Sequence, residues 1–312
     1  MVKRIIVAGS MLVDHIRRID RYPASGELVQ IRDSNYDVGG LVPNVGRDLK
    51  RLDSSLDVLA IGKVGDDPDG DFIGRKLSES GVKLHLRISK TEPTSFTEVM
   101  SVSGGERTFF TASGANADWG YEDFPFEEVH PGDMVLLGYF LLLEKIDAGD
   151  GLLILKELKR LGAVTAIDLV TEDSERYIKV CECLPFVDYL IVNEVEASRL
   201  CGKQDGSEAL ARSLIDYGVR EAVVIHEPGK GTMVRRGGMC STVPSFAVPE
   251  GFIKDKTGAG DAFCAGVLTG IVAGASDAEI LRRGALAAVG ALSAEGASEG
   301  VRDFATLERM VG

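Results

Sequence analysis

Met134-Val135-Leu136-Leu137 begins the stretch that decides the fold, and three similar apolar segments follow it: Val164-Thr165-Ala166-Ile167, Tyr189-Leu190-Ile191-Val192 and Ala222-Val223-Val224-Ile225. Amphipathic stretches with helical spacing, such as residues 152–161 and 207–217, lie between these segments. Repeated strand–helix–strand units predict a doubly wound α/β fold with a mostly parallel sheet and helices on both faces. Ligands of such sheets bind at the carboxyl ends of the strands.

The N-terminal part of the chain predicts a second, smaller sheet. Arg4-Ile5-Ile6-Val7-Ala8-Gly9 is apolar throughout and predicts a buried first strand of the main sheet. Alternation of apolar and polar residues over 27–32 predicts a strand with one solvated face, and the segments 96–102 and 107–111 predict a hairpin. We interpret residues from about 16–38 and 95–115 as a small β-sheet lid within a single domain that spans residues 1–312.

Composition and charge narrow the class of partner. The formal net charge of −13 and the sequence pI of about 4.9 disfavour nucleic acid as a partner. The apolar run at residues 5–8 is too short for a signal peptide, and no stretch approaches a membrane span. Five cysteines match no zinc or redox spacing, so we expect reduced thiols and a cytoplasmic location.

One motif carries the chemistry: Asp255-Lys256-Thr257-Gly258-Ala259-Gly260-Asp261-Ala262-Phe263-Cys264-Ala265-Gly266. Its glycines allow a tight turn at the start of a helix, where unpaired N–H groups bind anions. Asp261 falls in the first helical turn, where an ionised carboxylate is favoured and can take the proton of an attacking hydroxyl. The motif therefore suits a phosphotransferase. The residues alone also fit a plain helix start with a favourable acid.

Other phosphate and hydrolase motifs are excluded by position. A dinucleotide fingerprint needs a third glycine where Phe263 stands, and a P-loop needs Ser or Thr where Gly231 follows Lys230. Residues 296–300 form a Gly-x-Ser-x-Gly pattern, but the last histidine is His226, whereas that hydrolase arrangement needs a later one. Four scattered histidines predict no metal cluster.

With the Gly258-Ala259-Gly260-Asp261 motif, the chain resembles the PfkB (ribokinase-like) carbohydrate kinase family over nearly its full length. The resemblance implies a ribokinase-like fold and ATP-dependent transfer of the γ-phosphate to a hydroxyl of a monosaccharide or sugar acid, of the ribose, fructose or ketodeoxygluconate type. It implies Asp261 as the general base, with Gly258, Ala259 and Gly260 as the anion hole. A nucleoside kinase, or a catalytically silent sugar-binding regulator on this fold, remains an alternative.

The resemblance also implies an acceptor site. Asp14 would end the first strand, within residues 9–16, and Asn44 would follow a Gly-Gly motif. The hairpin and its return, at 105–107 and 114–117, would bring Arg107 and Asn116 near the site. The residues assigned to the acceptor are Asp14, Gly39, Gly40, Asn44, Arg107, Asn116 and Asp261.

The nucleotide and cation sites follow from the same resemblance. Asn193 and Glu196 share a helix face and would meet the nucleotide phosphates and hydrated Mg²⁺, Glu196 acting through water, although the pair also fits a helix N-cap. The residues assigned to the nucleotide are Asn193, Glu196, Lys230, Gly231, Thr257, Gly258 and Gly260. A monovalent cation, K⁺, would be held by Asp255, Thr257, Ala291 and Gly296.

Three departures from the family pattern leave the acceptor open. His226-Glu227-Pro228 stands where ribokinase-like chains have Thr-x-Gly, which affects contacts to the nucleotide. Leu141 stands where a glutamate is expected, and Leu41 where a lysine is expected. Ribose is therefore not implied as the substrate. The resemblance further implies a homodimer formed through the β lid, with sugar and ATP as the small-molecule partners.

Overall fold

The computed structural model describes residues 4–102, 107–172 and 176–311. The strands in this part of the chain are β1 (Ile5–Gly9), β2 (Leu12–Ile19), β3 (Ile31–Gly39), β4 (Val58–Gly65), β5 (Lys83–Ser89), β6 (Phe96–Val102), β7 (Arg107–Ala112), β8 (Met134–Phe140), β9 (Val164–Leu169), β10 (Tyr189–Asn193), β11 (Ala222–Glu227), β12 (Lys230–Arg235) and β13 (Cys240–Pro244).

The helices are α1 (Leu41–Leu52), α2 (Pro68–Glu79), α3 (Gly114–Ala117), α4 (Gly151–Arg160), α5 (Tyr177–Cys181), α6 (Glu194–Cys201), α7 (Ser207–Asp216), α8 (Ala259–Val272), α9 (Asp277–Leu292) and α10 (Phe304–Val311). Short 3₁₀ turns lie at Tyr121–Asp123, Phe126–Glu128 and Leu184–Phe186, and a π-helical turn at Ile146–Asp150. Within the described ranges, no helix combines the length and apolar character that a membrane span needs.

The large sheet has the strand order β13-β12-β11-β10-β9-β8-β1-β4-β5. Its strands from β11 to β5 pair in parallel, and β12 and β13 add an antiparallel edge. The predicted apolar strands at 5–9, 134–137, 164–167, 189–192 and 222–225 all lie in this sheet. The mostly parallel α/β sheet predicted from the sequence is therefore confirmed.

The core lies in two layers, one on each face of the large sheet. Successive side chains of a strand point to opposite faces, so Ile5 and Val7 pack in one cluster with α1, α8 and α9. Ile6 and Ala8 pack in the other cluster with α4 and α7. Because both faces are covered, the central strands are mostly apolar, which is the pattern that the sequence shows.

The small sheet has the strand order β3-β2-β6-β7. The predicted hairpin is confirmed, since β6 and β7 pair antiparallel from Phe96–Ala112 to Ser101–Arg107. Its loop at 103–106 lies outside the described residues. The predicted strand at 27–32 is wrong in its bounds, because β3 begins only at Ile31 and continues to Gly39. Short-range alternation indicated a strand there, but pairing with β2 sets where it begins.

Candidate active site

A glycine turn at the start of α8 forms the centre of the site. Gly258 precedes the helix with φ of 75°, and a Cβ there would lie 2.2 Å from the carbonyl oxygen of Ala297. Only glycine combines that conformation with so close an approach. Among the described residues, the N–H groups of Gly260 and Asp261 meet no acceptor. The turn therefore presents free N–H donors at the positive end of a helix, which is suited to an anion.

Asp261 lies in the first turn of α8 and is only 5% exposed. Tyr139 Oη lies 2.8 Å from both of its carboxylate oxygens, and Asn44 Nδ2 donates to Oδ2 at 2.8 Å. Burial raises the pKa of Asp261 to about 6, and the hydrogen bonds from Asn44 and Tyr139 oppose this rise. A carboxylate with this pKa is ionised at neutral pH and still basic enough to accept a proton.

A polar cleft of about 390 Å³ opens between the small sheet and the turn before α8. One face of the small sheet lines it, because residues in alternate positions of β2 and β7 point the same way: Asp14, Ile16, Arg18, Arg107 and Phe109. Asp255 and Thr257 line the opposite side. The cleft is open enough for a small polyhydroxylated molecule.

The prediction that Asp14 ends the first strand is wrong, because Asp14 lies within β2 of the small sheet. The chain leaves the large sheet after Gly9, where β1 ends, and enters the small sheet at Leu12, where β2 begins to pair with β3 and β6. Asp14 faces Asp37 across the β2–β3 pair. Burial and, second, the Asp37 charge raise the pKa of Asp14 to about 6. A Cβ on Gly39 would lie 2.5 Å from Asp14 Oδ2, so the glycine leaves room for this carboxylate.

Arg107 connects the small sheet to the loop that precedes α8. Its Nη1 donates to Asp255 Oδ2 at 2.8 Å and to Thr257 Oγ1 at 3.1 Å. Burial alone would raise the pKa of Asp255, but the N–H groups of Thr257 and Gly296, followed by the Arg107 guanidinium, outweigh burial and lower it to about 2. Asp255 is thus an ionised carboxylate with four neighbouring donors.

A second, mostly apolar cleft of about 580 Å³ lies on the other side of the same loop. Asn193, His226, Lys230, Gly260 and Phe263 contribute to its lining. The His226 ring packs on Phe263 with 4.9 Å between ring centroids, and burial lowers the pKa of His226 to about 4. A neutral imidazole and an aromatic ring beside free N–H donors suit a nucleotide, which has an apolar base and an anionic end.

A family model decides the classification. The model described as pfkB family carbohydrate kinase matches residues 2–303, almost the whole chain. The chain belongs to the pfkB family of carbohydrate kinases. The predicted family, the ribokinase-like α/β fold and the class of enzyme, a phosphotransferase with an alcohol acceptor, are confirmed.

Similar proteins agree with this PfkB membership. Ribokinase from Arabidopsis thaliana is 28% identical over 310 residues, covering 96% of this chain and 78% of that protein. A fructokinase from Klebsiella pneumoniae is 27% identical over 243 residues, covering 75% of this chain and 77% of its own. A structure of Arabidopsis thaliana ribokinase complexed with ribose and ATP superposes with a TM-score of 0.84 at 25% identity, covering 100% of this chain and 99% of that one.

Several residues assigned to the nucleotide in this PfkB protein also have structural contacts. Asn193 caps α6, accepting from the N–H of Glu196, while Glu196 Oε2 accepts from the N–H of Asn193. Lys230 pairs with Glu227 at 2.8 Å, and Gly231 packs close to Phe263 and Leu281. The N-cap interpretation of Asn193 and Glu196 is confirmed, and their role toward phosphate stays a prediction.

Three further assigned residues have structural contacts or are buried in the PfkB fold. Asn116 is buried, and its amide oxygen accepts from the N–H of Met11 at 3.2 Å. This contact holds the turn between β1 and β2, and acceptor binding by Asn116 stays a prediction. Ala291 is fully buried on α9. Gly296 directs its N–H to Asp255 Oδ2 at 3.1 Å.

Sequence reasoning missed Tyr139, which the fold places on Asp261. Tyr139 lies two residues beyond the predicted strand 134–137, near the carboxyl end of β8. That position is a usable signal, because ligand sites of parallel sheets collect at the carboxyl ends of strands. Asp168 on β9 and Asp48 on α1 were missed as well; both are buried, and burial raises the pKa of each well above its usual value.

Proposed function

We propose that this PfkB protein transfers the γ-phosphate of ATP to a hydroxyl of a monosaccharide or sugar acid, with Asp261 as general base. The observation that carries the proposal is that one loop lines both clefts. Asp255 and Thr257 line the polar cleft, whereas Lys256, Ala259 and Gly260 line the apolar one. A phosphoryl group that passes from one cleft to the other would meet the N–H donors of this turn.

The proposed reaction uses few protein groups. The acceptor hydroxyl oxygen forms a bond to the γ-phosphorus while the bond from that phosphorus to its bridging oxygen breaks, and ADP leaves. Asp261 takes the hydroxyl proton, and the N–H groups of Gly260 and Asp261 stabilise the charge on the transferring group. Asp14 accepts hydrogen bonds from other hydroxyls of the sugar and so orients the reacting one.

Mg²⁺ belongs to this proposal as a partner of the phosphates, whose charge it would neutralise. Each carboxylate oxygen of Glu196 already accepts one protein hydrogen bond, at 2.6 Å from Thr171 Oγ1 and at 2.9 Å from Asn193 N. The role proposed for Glu196 is to accept a hydrogen bond from a water bound to the metal. In the described part of the chain, no three His, Cys, Asp or Glu side chains form a metal cluster. A hydrated ion held mainly by phosphate needs no such cluster.

Potassium is expected to raise the rate, because a cation beside Asp255 and Thr257 would fix the loop that presents the anion-binding N–H groups. The oxygens Asp255 Oδ1 and Thr257 Oγ1 lie 2.9 Å apart and fit as ligands, but Oδ2 already meets Arg107 and Gly296. We therefore expect weak cation binding. Initial rates in potassium chloride and in a potassium-free, sodium-free buffer of equal ionic strength test this expectation. Identical rates would count against the cation.

We also propose that the small sheet is a lid and that two lids pair in a homodimer. Support comes from four large apolar side chains of this sheet that are about half exposed, namely Ile31, Tyr36, Phe109 and Phe110. Tyr36 and Phe110 lie on the face of the sheet opposite the polar cleft, and exposed apolar side chains on a small open sheet suit an interface. Sedimentation at micromolar concentration, with and without sugar, is expected to show twice the 33.4 kDa chain mass. A single species at the chain mass under both conditions would refute the dimer.

A cytoplasmic location is part of the same proposal. All five cysteines are free thiols, which fits a reducing compartment. Fractionation of the source cells, with the protein detected in the soluble cytoplasmic fraction, is the test.

The experiment that tests the function is ATP consumption measured across ketoses, aldoses, sugar acids and nucleosides. The relatives named ribokinase and fructokinase, and the ribokinase complexed with ribose and ATP, support a sugar acceptor and ATP as donor. We expect one neutral sugar or sugar acid to give the highest kcat/KM. Turnover of nucleosides alone would establish the nucleoside kinase instead. Sugar binding without ATP consumption would establish the silent regulator.

A further inference from the structure

The Tyr139 hydroxyl contacts the proposed base directly. Tyr139 lies at the carboxyl end of β8, and its Oη is 2.8 Å from Oδ1 and 2.8 Å from Oδ2 of Asp261. Asn44 Nδ2, from α1, donates to Oδ2 at 2.8 Å. Oδ2 therefore faces two donors and Oδ1 only one. Since each carboxylate oxygen has about two lone pairs, Oδ1 keeps a free one.

The surroundings keep Tyr139 a donor. Burial, followed by the negative charges of Asp261 and Asp168, raises the pKa of Tyr139 well above 10. Its hydroxyl thus carries a proton at any pH where the enzyme works. With an ionised carboxylate as its neighbour, the hydroxyl donates and does not accept.

The other side chains near Asp261 do not stabilise its charge. Asp48 on α1 and Asp168 on β9 lie within its electrostatic reach, and Glu196 on α6 and Cys264 on α8 lie beside Asp168. All four are acidic or neutral. Asn44 and Tyr139 are the side chains whose hydrogen bonds favour the ionised form of Asp261 against burial.

We propose that Tyr139 is a positioning residue of this kinase: its hydroxyl holds the Asp261 carboxylate ionised and leaves Oδ1 as the atom that receives the acceptor proton. The inference rests on the proposed role of Asp261 as the base. A ring that only filled space would need no hydroxyl, whereas here the oxygen makes the contact. The residue acts through Asp261 and need not touch either substrate.

The test is the pH profile of kcat/KM in Tyr139→Phe, which keeps the ring and removes the O–H group. ATP is varied at saturating sugar, so that the titration of Asp14 does not enter the profile and its acid limb reports the pKa of the base. In the unaltered protein we expect it near pH 6, the pKa of Asp261. Removing a donor disfavours the ionised form, so the limb should move upward by about one pH unit, with the loss growing to about tenfold below pH 6.

Tyr217→Phe is the matched control, because Tyr217 ends α7 and is 46% exposed. Its profile should equal that of the unaltered protein. Tyr139→Gln, which restores an N–H donor, should keep the acid limb near pH 6, and Tyr139→Leu should move it upward. Thermal unfolding shows whether Tyr139→Phe is folded. If it is not, the comparison of Tyr139→Gln with Tyr139→Leu tests the same inference.

An unmoved acid limb in Tyr139→Phe overturns the inference, whether kcat is unchanged or lower by one factor at every pH, since the latter indicates packing alone. Asp261→Asn separates this failure from that of the proposed function. If Asp261→Asn is inactive while the acid limb of Tyr139→Phe stays in place, only the role of Tyr139 is wrong. If Asp261→Asn retains turnover, the base assignment and the inference fall together.

Discussion

Replacing Asp261 with asparagine is expected to lower kcat by about 10²–10⁴-fold, because the substitution removes the general base and little else. Asparagine has nearly the same size as aspartate, and the first turn of α8 is not otherwise changed. The amide oxygen can still accept from Tyr139 and Asn44, which now contact the carboxylate at 2.8 Å. Steady-state kinetics measure the loss in kcat. Calorimetry should show ATP and sugar affinities close to those of the unaltered protein.

A matched control separates loss of the base from loss of a helix-terminal charge. Asp71 is exposed in the first turn of α2 and is not among the residues that line either cleft. Asp71→Asn removes the same kind of charge at the same kind of position and should leave kcat unchanged. If Asp261→Asn kept more than half of the unaltered kcat, Asp261 would not be the base.

Replacing Asp14 with alanine is expected to weaken sugar binding by about 10²-fold or more. The expectation rests on two hydrogen bonds from substrate hydroxyls to one carboxylate, each worth about 1.5–3 kcal/mol. ATP affinity should not change, because Asp14 lines the polar cleft and not the apolar one. Calorimetric titration with the best acceptor from the substrate panel measures both affinities.

The pH dependence of sugar binding gives a second measure of Asp14. Its pKa is raised to about 6, chiefly by burial, so the carboxylate is ionised above pH 6 and protonated below. Sugar affinity should therefore fall as the pH falls through 6, and Asp14→Ala should remove that dependence. Asp20→Ala is the control, since Asp20 is exposed just after β2. Equal sugar affinity in Asp14→Ala and the unaltered protein would rule out the role.

Apolar runs in the sequence predicted five of the nine strands of the large sheet, and β4, β5, β12 and β13 were not predicted. Each predicted strand from 134 to 225 is mostly apolar, because both faces of that sheet are covered by helices. The small sheet was harder to predict. Residues 27–30 alternate like a strand but lie outside it, since they have no partner strand to pair with and β3 begins at Ile31.

The glycine turn and the position of Asp261 in the first helical turn could also be predicted from the sequence, because both depend on residues that are close together in the chain. The sequence by itself determined the α/β alternation, the helix start with its anion-binding N–H groups, and the acid in its first turn. These features depend on residues a few positions apart, whose geometry the backbone fixes directly.

Only the tertiary structure decided what surrounds that acid. Asn44 and Tyr139 lie 217 and 122 residues away from Asp261 in sequence, and Arg107 lies 148 residues from Asp255. No local pattern encodes such contacts. They arise because parallel strands bring their carboxyl ends to one edge and the small sheet folds over it. The pKa values of Asp14 and Asp261 have the same origin, since burial and neighbouring groups set them, and both exist only once the chain has folded.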